Sequence, residues 1–134
     1  MQLPNGATVA VADGEKLTLF RNTGDAANPE LTALAGADVD SDNKGSGARH
    51  QSSSANPDRS QVEEDSFAAG IADILNRQVL NGRITALVVI AAPRTLGELR
   101  KHYHKNLATA LVGEIAKDLT GHSVHDIEKT IASA

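Results

Sequence analysis

The stretch APRTLGELRKHYHKNL, residues 91–106, concentrates side chains that could do chemistry. Arg94 and Arg100 can bind an anion, since a guanidinium offers paired N–H donors to phosphate or carboxylate. The amino terminus of the helix predicted here would add free backbone N–H groups. His104 falls one turn after Arg100 and borders the same region. The competing reading has both arginines lying over core leucines and pairing with Glu98 or Asp118. His102 and His104 diverge around a helix axis, so they cannot share a metal ion. His122 and His125 flank a helix start and read as surface groups. No metal site or cofactor is expected.

Other constellations fall short. Asp13 with Glu63 or Glu64 would suit a metal-dependent nuclease, which needs clustered carboxylates. The apolar segment ITALVVIAAPR, however, carries no third carboxylate, and an Asp-Gly turn accounts for Asp13. The glycines of GSGARHQ neither follow a strand nor lead into Gly-Lys-Ser/Thr, so they make no phosphate loop. No nucleophile elbow is present.

These residues must be positioned by a chain of 134 residues, a length that suits one domain, 1–134. Aromatic residues make up only 2%, so the core must come from Leu, Ile, Val and Ala. With no cysteine, disulfides and thiolate chemistry are excluded. The amino-terminal sequence shows no export signal, and ALVVIAA is too short to span a bilayer. A net charge of −4 argues against binding bulk DNA or an anionic membrane, and a cytoplasmic location is expected.

ATVAVAD and KLTLFRN alternate as strands around a two-residue Asp13-Gly14 turn. ELTALA completes an antiparallel three-strand start with one face covered. Residues 36–58 lack apolar periodicity and form a long loop, a feature that is usually functional or disordered. A helix follows, with Asp58 or Ser60 as cap, Glu63 in capping-box spacing, and Phe67, Ile71, Ile74 and Leu75 as its apolar stripe. Asn81-Gly82 ends it. ITALVVIAA suits a central strand buried on both faces. One helix then runs from a Thr95–Glu98 capping box, with Pro93 outside it, along Leu96, Leu99, Tyr103, Leu107 and Ala110. A strand GEIAKDL and a helix opened by Ser123 and Asp126 finish the chain, with Val124, Ile127 and Ile131 facing inward. The expectation is an α/β fold: a mixed five-stranded sheet of the ribonuclease-H-like type, with α-β-α-β-α after the three strands.

VAVADGEKLTLFRNTGD, RSQVEEDSF, LVVIAAPRTLGELRKHYHK and EIAKDLTGHSVHDIEK together resemble the bacterial host-attachment protein family, named for a requirement in attachment to host cells. That family is similar to the catalytic (middle) domain of archaeal and eukaryotic peptide release factors. In those proteins the loop after the third strand carries a Gly-Gly-Gln tip. The tip enters the peptidyl-transferase centre and positions water on the peptidyl-tRNA ester. The resemblance makes Gly47, Arg49, His50 and Gln51 the candidate loop residues. It implies the ribosome or tRNA as partner, reached by that loop and a basic rim of Arg59, Arg94, Arg100 and His104. The chain has no Gly-Gly-Gln triplet, which argues against peptidyl-tRNA ester hydrolysis, the reaction expected if this is an enzyme. The alternative is a noncatalytic adaptor that affects host attachment indirectly. An open edge of the three-strand start leaves homo-oligomers possible.

Overall fold

The computed structural model describes residues 1–34 and 59–134. Its sheet has five strands: β1 (Thr8–Ala12), β2 (Leu17–Asn22), β3 (Leu31–Leu34), β4 (Leu87–Ala91) and β5 (Leu111–Ala116). They lie in the order β3-β2-β1-β4-β5. The hairpin partners β1–β2 and β2–β3 are antiparallel, whereas β1–β4 and β4–β5 are parallel. Parallel neighbours need crossovers, and the described residues hold four helices: α1 (Arg59–Leu80), α2 (Pro93–Arg100), α3 (Lys105–Ala110) and α4 (Val124–Ser133).

Strand alternation sorts the core into two layers. Ala10, Ala12, Leu19, Leu87, Val89 and Ala91 face α1, α2 and α3, which contribute Phe67, Ile71, Leu75, Leu96, Leu99 and Leu107. Val9, Val11, Phe20, Val88, Ile90 and Ile115 face α4 (Ile127, Ile131) and the amino-terminal Leu3. Every residue of β4 is buried, as its unbroken apolar run predicts. β1 is covered on both faces rather than one, being buried throughout, and Leu19 and Phe20 of β2 enter opposite layers, whereas Thr18, Arg21, Thr32 and Ala33 stay exposed.

Several local expectations are corrected. The β1–β2 turn centres on Gly14-Glu15, with the Asp13 N–H donating to the carbonyl of Lys16 (2.9 Å). Gly14 does not take a positive φ, so the hairpin is closed by the Asp13 side chain and not by glycine's freedom. On α1, Ile74 is only half-buried, and the stripe runs through Phe67, Ala68, Ile71, Ala72 and Leu75. Asp58 lies outside the described residues, as do the side chains of Ser60 and Glu63. Gly82, at φ +81°, ends the helix as read. β5 begins at Leu111, two residues early, and stops at Ala116. On α4 the Ser123 hydroxyl accepts the Asp126 N–H (3.2 Å), but Val124 is exposed.

The long helix predicted over Leu96–Ala110 is two helices. Pro93 is the first residue of α2, a position where its missing N–H costs nothing, and no side chain caps the helix. The break at 101–104 is held from below. Asn76, buried within α1, donates from Nδ2 to the carbonyl of His102 (2.9 Å) and accepts the His104 N–H at Oδ1 (3.0 Å). One amide thus satisfies an acceptor and a donor that an unbroken helix would have satisfied internally.

Candidate functional site

The carboxyl ends of β1, β4 and β5 share one edge of the sheet. Ligands on open α/β sheets bind beyond such ends. Three segments leave this edge: the Asp13 turn, the start of α2, and residues 117–123.

Asp13 joins two of them. Its Oδ1 accepts the N–H groups of Glu15 and Lys16 (both 2.6 Å), closing the hairpin. Its Oδ2 accepts from the hydroxyl of Thr120 at 2.9 Å, across 107 positions of sequence. The same hydroxyl lies 2.7 Å from Oδ1 of Asp118, which also accepts the Thr120 N–H (3.2 Å). A hydroxyl has one proton, so only one carboxylate receives it at a time. The hydrogen bonds from Thr120 hold the Asp118 carboxyl below its ordinary value. Sequence reading explained Asp13 by its turn alone and missed Thr120. Asp13-Gly14 reads as a turn and GEIAKDL as a strand, and neither reading links the two segments.

A second polar group sits on the α1 side of β5. Arg100 donates from Nε and Nη2 to Oε1 of Glu114 (3.0 and 2.8 Å), and the Tyr103 hydroxyl donates to Oε2 (3.1 Å). Burial, then the negative charge of Glu114, pushes the Tyr103 phenol far above its usual range. Arg100 is therefore engaged by an acid, although its partner is Glu114 and not Glu98 or Asp118. Glu98 instead receives Lys101 (2.7 Å).

The predicted rim residues are distributed differently from the sequence expectation. Arg94 is exposed in the first turn of α2, and Arg100 is that helix's last residue. Six residues separate them, about 9 Å of rise and some 240° of rotation, so they do not converge on one anion. The residue sharing Arg94's face is Lys101, two turns on. His104 is exposed as the residue preceding α3, its N–H bound to Asn76. Arg59 opens α1, but its side chain lies outside the described residues, as do Gly47, Arg49, His50 and Gln51. His122 and His125 approach different carboxylates, Asp126 and Glu128 (3.8 Å each). Among the described residues no group of three His, Asp or Glu side chains could hold a metal ion. No described helix is long and apolar enough to cross a membrane.

Residues 6–131 match the model of bacterial archaeo-eukaryotic release factor family 12. The chain belongs to that family of release-factor-like proteins. A search of curated proteins returned no match.

Proposed function

We propose that this chain is a translation-associated module that binds the ribosome or tRNA in the cytoplasm and presents the segment between β3 and α1 to it. The observation that carries this reading is the family match over residues 6–131, which spans both flanks of that segment. β3 ends at Leu34 and α1 begins at Arg59; the likeness to release factors, which carry their catalytic tip after the third strand, is what makes Gly47, Arg49, His50 and Gln51 of the intervening sequence the candidates. The absence of a Gly-Gly-Gln triplet favours binding without ester hydrolysis.

Co-sedimentation with ribosomes at low salt tests the proposal. The wild-type chain should enter the ribosomal fraction, and deletion of residues 38–58 should remove it. A wild-type chain that stays wholly in the supernatant sinks the reading and favours an adaptor acting indirectly on host attachment.

A further inference from the structure

Three places in the sequence put an Asn or Asp directly before glycine: Asn5-Gly6, Asp13-Gly14 and Asn81-Gly82. Such a pair can close on itself, because glycine has no Cβ to shield its backbone nitrogen. That nitrogen gives its proton to solvent and attacks the side-chain Cγ of the residue before it. At asparagine the Cγ–Nδ2 bond then breaks and the side-chain nitrogen leaves as ammonia, so a five-membered succinimide forms. Water opens the ring at either carbonyl, to aspartate or to isoaspartate, in which the chain continues through Cγ. The attack needs Cγ and the glycine nitrogen free to approach, so the fold decides which pair reacts.

Two of the pairs are clamped. Asp13 has both carboxylate oxygens engaged, Oδ1 by the N–H groups of Glu15 and Lys16 and Oδ2 by the Thr120 hydroxyl. At Asn5, Nδ2 donates to the carbonyl of Gly24 (2.8 Å), and the attacking nitrogen, that of Gly6, donates to the carbonyl of Asn22 (2.8 Å). Asn22 is buried, as are Leu3 and Ala7 on either side of the pair, so freeing the Gly6 nitrogen means disturbing the core. Asn81 is exposed at the carboxyl end of α1, beside a Leu80 that is itself 58% exposed. Among the described residues its Nδ2 has no hydrogen bond, and its Oδ1 accepts only the Arg83 N–H, at 3.3 Å. The Gly82 nitrogen is held only by the Val79 carbonyl, at 3.2 Å, in a last turn of the kind that frays at little cost. We infer that Asn81 is a site of spontaneous deamidation and isomerisation, whereas the fold keeps Asn5 and Asp13 intact. The product puts a negative charge at the carboxyl end of α1, where the helix dipole disfavours it. Isoaspartate also lengthens by one backbone atom the connection from α1 to the buried Ile84 that leads into β4. The age of the molecule is thereby written into a looser α1–β4 joint.

Ageing the intact chain at physiological pH and temperature, with tryptic peptides then separated and weighed, tests the assignment. Asn81 falls in QVLNGR, residues 78–83, whereas Asn5 and Asp13 share MQLPNGATVAVADGEK, residues 1–16, so one digest reads them apart. The 78–83 peptide should gain the mass of amide-to-acid conversion and split into aspartyl and isoaspartyl forms. It should do so about tenfold faster than the 1–16 peptide converts. In urea, where no clamp survives, the two Asn-Gly rates should converge to within about threefold. Asn81→Gln, at which Gly82 could close only a slower six-membered ring, should abolish the change in this peptide and leave the melting temperature unaltered. Conversion of the 1–16 peptide as fast as that of 78–83 in the folded chain overturns the assignment, as does a 78–83 peptide that stays intact until urea is added. A rate ratio that persists in urea also overturns it, since sequence and not fold would then set the preference. A mass gain that survives Asn81→Gln places the reaction at Gln78 and overturns it as well.

Discussion

The two polar groups around β5 differ in how their charges close. On the α1 side, Glu114 meets a guanidinium and a phenol, so one negative charge is matched by one positive charge and a neutral donor. Beyond the strand's carboxyl end, Asp13 and Asp118 converge on the single hydroxyl of Thr120, with backbone N–H groups as their other donors. The first group is balanced, and it joins residues 11 and 14 apart. The second keeps an excess of negative charge, and it ties the β1–β2 hairpin to the segment after β5. Local closure gives a rigid surface, whereas long-range closure holds the sheet edge in register. The two should therefore fail under opposite conditions.

The largest effect is expected beneath the balanced group. Asn76→Ala leaves the His102 carbonyl and the His104 N–H without their partner and opens a void under the turn. A loss of about 3 kcal/mol is expected in urea unfolding, with the slope of the transition unchanged. A loss below about 1 kcal/mol would mean that water replaces the amide freely.

The next effect is seen at high pH. Tyr103 is the only tyrosine, so phenolate absorbance follows it alone. Its phenol is raised in the folded state, so its contribution to stability is full below the unfolded value of about 10 and is lost as pH rises beyond it. Ionisation should appear together with loss of the fold, as one cooperative step. A simple titration near pH 10 with helical circular dichroism intact would break the comparison.

The smallest effect lies at the acid end. The Asp118 carboxyl is held low in the folded state, so its contribution is present above the unfolded value of about 3.9 and disappears as pH falls through the depressed one. Thr120→Val should flatten this acid limb of the stability profile and leave the alkaline limb untouched. An unchanged acid limb would remove Thr120 as its cause.

How far the sequence foretold these groups follows from the range of each interaction. β4 was legible because five buried residues in a row leave no other reading, and the ends of α1 and α4 followed from Gly82 and Ser123. The break between α2 and α3 was not. Leu96, Leu99, Tyr103 and Leu107 keep helical spacing through it, while its cause lies 26 residues away in Asn76. The usable signal was a polar residue next to Leu75 on the otherwise apolar stripe of α1, since a buried amide must find partners. The Asp13–Thr120 link had no local trace, because either residue satisfies a turn on its own. Of the candidate rim, Arg94 and Arg100 fall on different sides of one helix, and Arg100 is held by Glu114, 14 residues further along the chain.

The register shift between β4 and β5 has a consequence for how this protein meets copies of itself. Leu87 is opposite Leu111 and Val88 opposite Gly113, so Val112 is the extra residue of a bulge, with the Met1 side chain lying over Gly113. A bulged, partly covered outer strand is a poor template for another strand. β3, four residues long, is the edge at the other end of the sheet among the described residues. Of these two described edges, β3 is the one whose backbone another strand could extend. An assembly built that way would end at two subunits, because a second β3 would use up the edge that made it.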